Sequence, residues 1–151
     1  SLIVTDIAQK RIDYAVSELG AEAVASEAIY DADCDVFAPC ALGAVVNDQT
    51  VPRFKARIIA GSANNQLAEA RHADALRARG IIYVPDFIIN GGGVINIAVE
   101  LQPGGYDRER AYEQIGTIGD KVTTVLAMAE ERDISTDAAA MLMAQERLQA
   151  A

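Results

Sequence analysis

Four short stretches hold residue types that could do chemistry. In Gly61-Ser62-Ala63-Asn64-Asn65-Gln66, two adjacent amides follow an apolar run. Such a pair offers donors and acceptors to a carboxamide or an amino group, and one asparagine could equally cap a following helix. In Asn90-Gly91-Gly92-Gly93-Val94, three consecutive glycines cost chain entropy. They suit a ring or backbone passing close by, or a tight turn at a helix start. No Gly-Lys-Ser/Thr ending follows, so this is not a phosphate loop. The third stretch, Ala38-Pro39-Cys40-Ala41-Leu42-Gly43-Ala44, is built of small residues. It lets a flat ligand approach the backbone, or it is a plain strand-to-helix turn. The fourth is Asp6, at the end of the first apolar run. A carboxylate there accepts hydrogen bonds from ribose hydroxyls and repels a 2′-phosphate, or it serves as a turn or helix cap.

The remaining reactive types suggest no site. His72 is the only histidine, and it stands among charged residues where a solvated surface position is expected. Cys34 and Cys40 are too few for a disulfide scaffold, match no zinc spacing and read as reduced thiols. Asp107, Glu109, Glu113, Glu130 and Glu131 read as solvated helix faces. No convergence of His, Cys and carboxylate suggests a metal, and no catalytic residue is expected in the chain.

The elements that must position these residues alternate in period. Leu2-Ile3-Val4 reads as a short buried strand, followed by a helix over 8–19 with Ile12, Ala15, Val16 and Leu19 on one face and Gly20 as its stop. Ala23-Val24-Ala25, Val36-Phe37-Ala38, 57–60 and 81–84 read as further strands. Asn47-Asp48 is expected to cap a short helix, and a longer helix is expected over 66–79. After the glycines a helical pattern runs to Leu101, and Pro103-Gly104-Gly105 breaks it. Ile115, Ile118, Val122, Val125 and Ala129 mark one long amphipathic helix, and a last helix covers 136–148 with Ser135 or Thr136 as its cap. Short apolar strands alternating with helices predict an α/β fold with a mainly parallel sheet covered on both faces.

The chain has 151 residues, a natural size for one domain, and its 51% hydrophobic and 23% charged composition is ordinary for a globular protein. A net charge of −9 repels phosphate backbones and argues against nucleic acid as a partner. It does not exclude a nucleotide held by backbone N–H groups at a helix N-terminus. No apolar run approaches the roughly 18 residues of a membrane span. The opening Ser1-Leu2-Ile3-Val4-Thr5-Asp6 has neither the basic flank nor the cleavage pattern of a leader, so a cytoplasmic location is expected.

Taken together, Val4-Thr5-Asp6, the run from Cys34 to Ala44, the run from Ile59 to Gln66 and the run from Gly80 to Val94 resemble the Glu/Leu/Phe/Val dehydrogenase family. The order and spacing fit along almost the whole chain, nearest to the leucine and phenylalanine dehydrogenase branch. The resemblance implies a Rossmann-like, doubly wound fold that lacks its first strand and Gly-rich turn. A partial NAD-binding domain would cover 1–105, with C-terminal helices over 106–151 packing on it. NAD is the implied cofactor. Asp6 would hold the adenosine ribose, and Ala41 and Leu42 would lie along the cofactor. Ser62, Ala63 and Asn64 would line the nicotinamide side, with Asn64 also near the substrate amino group and Asn90 helping to place the nicotinamide. Val94 and Ile97 would line the amino-acid side-chain pocket. Both are apolar, which favours an aliphatic or aromatic amino acid over glutamate. Gly91 stands where the family usually has alanine.

The family reaction is reversible oxidative deamination of an L-amino acid to a 2-oxo acid and ammonia. The family's substrate-domain lysines and its pyrophosphate turn have no counterpart here, so the chain is expected to be a fragment that is inactive alone. Without the central first strand, two sheet edges would stand unpaired, and Val122, Val125 and Met141 would lack part of their partner surface. The resemblance also implies a homo-oligomer for the whole protein. A glutamate dehydrogenase portion and a non-catalytic nucleotide-binding or interaction module are the alternatives.

Overall fold

The computed structural model describes residues 1–150. Strand β1 (Ile3–Val4) leads into helix α1 (Gln9–Leu19), which returns the chain to β2 (Glu22–Ala23). β1 and β2 pair in parallel with Ile3 opposite Glu22. Helix α1 stops at Gly20, whose φ of 64° lets its N–H reach back to the Ala15 carbonyl. After a 3-10 turn at Ala28–Asp31 come β3 (Val36–Phe37), β4 (Ile58–Ile59) and β5 (Ile82–Tyr83), with α2 (Arg71–Ala78) between the last two. These three strands form a second parallel sheet in the order β3-β4-β5. Five helices close the chain: α3 (Asp86–Ile89), α4 (Gly92–Glu100), α5 (Arg108–Gly116), α6 (Ile118–Arg132) and α7 (Thr136–Ala150).

The main core forms under the second sheet, where Val46, Val51, Phe54, Ile59, Leu76, Ile81 and Tyr83 pack together. The Phe54 ring stacks at a tilt on Phe37, 4.9 Å between centroids. Fully burying side chains such as Ile59 or Leu76 stabilises by roughly 1.5–3 kcal/mol each. A second cluster joins Val125 and Ala129 of α6 to Ala139 and Ala140 of α7, with Ile88 of α3 against it. The architecture is therefore the expected one: Rossmann-like parallel α/β strands followed by C-terminal helices. Among the described residues no ladder joins β1 to β3, so the outer edge of each carries no strand.

Several expectations fail in detail. The helix expected over 66–79 begins only at Arg71, because Leu67 is drawn into a parallel bridge with Val46. The Gln66 N–H is meanwhile taken by the Asp86 carboxylate at 3.2 Å. Asn47 caps a turn rather than a helix, its Oδ1 accepting from the N–H groups of Gln49 and Thr50. The single amphipathic helix through Ile115 and Ala129 is two helices, broken at Thr117, whose N–H turns to the Gln114 carbonyl. Val125 is fully buried against α7 rather than short of a partner, while Met141 is exposed as expected. Neither cap expected for α7 acts as one through its side chain: the Thr136 hydroxyl donates to the Tyr83 carbonyl at 2.5 Å and ties α7 to β5. The expected coverage of both sheet faces fails: Ile59 and Tyr83 lie on the buried face of the second sheet, while Val36 and Ile82 on its opposite face are exposed, as is β2, and α1 buries no residue. No helix among the described residues is long and apolar enough to cross a membrane.

Candidate functional site

Parallel strands send their C-terminal ends to one edge of a sheet, and ligands of such sheets bind in the crevice beyond those ends. The turns after β3 and β4 meet at that edge. A Cβ on Gly61 would overlap the Pro39 backbone, so only glycine lets the turns touch there. The Ala63 N–H then donates to the Pro39 carbonyl at 2.9 Å. Gly43 does the same one step further out: a Cβ there would stand 2.7 Å from the Asn64 carbonyl oxygen. Beside it the Ala44 N–H donates to the Asn65 carbonyl at 2.7 Å. Ala44 and Asn65 hold φ values of 56° and 53°. For alanine this left-handed backbone is strained, costing about 1–2 kcal/mol, and backbone strain gathers at binding sites.

The two candidate amides meet. Asn90, just after α3, donates its Nδ2 to the Asn64 Oδ1 at 2.6 Å and to the Ser62 carbonyl at 3.3 Å. A backbone carbonyl can only accept, so the Ser62 contact fixes which end of the Asn90 amide is nitrogen. That in turn fixes the Asn64 atom as oxygen. The groups left for a ligand are a donor, Asn64 Nδ2, and an acceptor, Asn90 Oδ1.

Both asparagines line a cleft of about 840 Å³ between α3, α4, α6 and α7. Its walls are largely apolar, with Val94, Ile95, Ile118 and Met143 among them. Lys121 and Arg147 also line it, and neither makes an ion pair among the described residues. Sequence reasoning missed both. Lys121 left a signal, a cation three residues after Ile118 inside an apolar helical stripe, whereas Arg147 left none.

The other candidates are more scattered. Val94 joins the amides at the cleft and is exposed there, while Ile97 is exposed one turn along α4 and does not line it. Ser62 contributes its carbonyl to Asn90, and Ala63 is buried in the turn with only 6% of its surface exposed. Ala41 and Leu42 are exposed on the turn after β3. Asp6 follows β1 on the other sheet. Its Oδ1 accepts from the Ala8 N–H at 2.8 Å, which is the turn role, since α1 has no side-chain cap, and its Oδ2 lies 3.4 Å from Arg11. That backbone bond, helped by Arg11, holds the carboxyl below the usual range. The three glycines adopt no left-handed backbone, and a Cβ at Gly93 would meet nothing within 4 Å.

His72 corrects the surface expectation: it is 2% exposed, with Nδ1 at the Glu69 N–H (3.0 Å) and Nε2 at Asp48 Oδ1 (3.2 Å). Asp48, Glu69 and His72 even bring one ligand atom each within 4.8 Å of the others, a convergence the sequence did not suggest. The Arg71 guanidinium already binds both carboxylates there, Asp48 at 2.7 and 2.6 Å and Glu69 at 3.0 Å. It leaves the cluster a closed charge network, and its bond foremost pulls the Asp48 carboxyl down to about 2. Burial pushes the Cys34 thiol up, with Asp33 and Asp35 adding to it, so it is no ready thiolate.

Comparison with known proteins places the fold in a family. A family model described as glutamate/leucine/phenylalanine/valine dehydrogenase matches residues 3–151. A leucine dehydrogenase of Thermoactinomyces intermedius is 52% identical over 98% of the chain and 40% of its own length. A phenylalanine dehydrogenase of Caldalkalibacillus thermarum is 40% identical over 85% of the chain and 34% of its own length. The crystal structure of L-tryptophan dehydrogenase from Nostoc punctiforme superimposes over 100% of the chain and 46% of that protein, with a TM-score of 0.95 and 39% identity. The chain thus spans about 40% of the length of the leucine dehydrogenase it matches.

Proposed function

The chain belongs to the glutamate/leucine/phenylalanine/valine dehydrogenase family, and from that premise we propose that it is the NAD-binding part of a dehydrogenase of apolar L-amino acids. The whole protein would catalyse reversible oxidative deamination to a 2-oxo acid and ammonia. NAD supplies the hydride acceptor when bound. The observation that carries the reading is the Asn64–Asn90 pair, which turns one donor and one acceptor outward beyond the ends of β4 and β5. A primary carboxamide such as that of nicotinamide offers the complementary acceptor and donor.

Other residues support the same reading. Ser62 and the buried Ala63 shape the turn that carries Asn64. Ala41 and Leu42, exposed after β3, give a flat ligand a surface to lie along, and Gly43 keeps that turn low. The ribose falls to Asp6 through Oδ2, since Oδ1 is committed to the Ala8 N–H, and the carboxylate favours NAD over NADP. For the amino acid, Val94 lies beside Asn64 at the apolar cleft, and Ile97 one turn along α4 extends that apolar surface. The positive φ values of Gly104 (96°) and Gly105 (75°) break the chain between α4 and α5 and support a division after residue 105. A parallel strand between β1 and β3 would join the two sheets, and it belongs to the remainder of a longer protein. We place that protein in the cytoplasm as an oligomer.

The test is to express the whole native gene, measure the intact mass of the product and assay NADH formation with leucine, valine, phenylalanine and glutamate. A mass well over twice 16.1 kDa with activity on an apolar amino acid is expected. Preference for glutamate, or a mass near that of this chain with NADH formation absent, would overturn the proposal.

A further inference from the structure

We propose that Gln66 and Asp86 are positioning residues for the Asn64–Asn90 pair. They lock the 61–65 turn onto the start of α3 and so decide which amide atoms face the cleft. This rests on the reading of that pair as a carboxamide site.

One buried carboxylate spans the two segments that carry the amides. Asp86 Oδ2 accepts from the Gln66 N–H at 3.2 Å, just after the turn. Its Oδ1 accepts from the Phe87 N–H at 2.9 Å, at the start of the helix that ends at Asn90, and from the Tyr83 hydroxyl at 3.4 Å. The turn itself is held from within. Gln66 is fully buried, and its Nε2 donates to the Gly61 carbonyl at 2.7 Å and to the Ala63 carbonyl at 3.0 Å. Those are the carbonyls on either side of Ser62, and the Ser62 carbonyl is the one that goes to Asn90. Gln66 therefore sorts the three carbonyls of the turn, and Asp86 sets the distance across which Asn90 reaches.

Gln66 Oε1 is buried with no partner. An unpaired buried acceptor opposes folding. A residue serving only to pack would do better as an apolar side chain. What this amide supplies is the direction of its two hydrogens.

The test uses the whole gene product that carries this chain. Calorimetric titration gives Kd for NAD and for its 3-acetylpyridine analogue, which keeps the ring carbonyl substituent but has methyl in place of the amide NH₂. NAD engages both Asn64 Nδ2 and Asn90 Oδ1, whereas the analogue engages only the first. One hydrogen bond corresponds to a preference of about fivefold in the native protein. Gln66→Met and Asp86→Asn are expected to reduce that preference to about one. Should Asp86→Asn fail to fold, Tyr83→Phe removes only the hydroxyl on Asp86 and is expected to give a partial loss, about twofold. A merely structural role would lower the melting temperature and both affinities together and leave the ratio at fivefold, which overturns the positioning role. A native protein that binds both dinucleotides equally overturns the carboxamide reading itself, and the proposal with it.

Discussion

Replacing Gly61 by alanine places a methyl group inside the backbone of Pro39, closer to its nitrogen and carbonyl than real Cβ contacts come. The neighbour is main chain, so no side chain can swing away. The turns after β3 and β4 have to separate instead. Separation breaks the 2.9 Å bond from Ala63 to Pro39, at about 1 kcal/mol, and overpacking adds about 1–3 kcal/mol. The expected destabilisation is about 2–4 kcal/mol, a large part of the roughly 5–15 kcal/mol that holds a domain together. With a urea slope of about 1–3 kcal/mol/M, the midpoint should fall by roughly 1–2 M. Gly93→Ala is the matched control. It adds the same methyl inside α4 where nothing stands within 4 Å, so it should stabilise by about 0.5–1 kcal/mol. Urea denaturation followed by circular dichroism measures both. A Gly61→Ala unfolding free energy within about 0.5 kcal/mol of native would refute the reasoning from the close approach. The control also separates two readings of the glycine run: stability gained with NAD affinity lost means that a ring passes over Gly93, and unchanged affinity means a helix-start role alone.

Three further outcomes are expected. Asp6→Ser removes the carboxylate and leaves Arg11 beside the site, so the NADP-to-NAD affinity ratio should rise at least about tenfold by titration; an unchanged ratio would remove Asp6 from ribose recognition. The Asp48 carboxyl, drawn from 3.8 to about 2 foremost by Arg71, adds stability fully present above 3.8 and lost as pH falls through about 2. In Arg71→Leu its NMR titration should move back up toward 3.8, and a titration that stays low would assign the effect to other partners. Ile97→Ala should shift kcat/KM toward bulkier amino acids by about tenfold or more, since each methylene in such a pocket is worth roughly 1–3 kcal/mol; an unchanged preference order would take Ile97 out of the pocket.

The strands and most helices were legible because apolar runs between breakers leave few alternatives, and the structure puts β1, β3, β4 and β5 within a residue or two of where the pattern does. Local pattern misleads where a distant partner intervenes. Gln66 and Leu67 look helical until Val46 and Asp86 claim their backbone groups. His72 sits among charges in sequence, yet it turns inward because Asp48 and Glu69 meet its two nitrogens. At the site, the amides of Asn64 and Asn90 were visible as residue types, but a sequence separation of 26 hid their mutual bond. The polarity of that bond depends on a third partner, the Ser62 carbonyl, which no pattern of side chains announces.

Helix α1 buries none of its residues, and among the described residues β1 and β2 share no ladder with the other sheet. In this chain the amides of the first 25 or so residues should therefore exchange with solvent before those around Ile59. Asp6 belongs to that weaker part, while Asn64 and Asn90 belong to the stronger one. A dinucleotide held at both ends would act as a stitch between them. Its saturation would stabilise each of them against any opening that releases the ligand, by about 2.7 kcal/mol at a hundredfold excess over Kd.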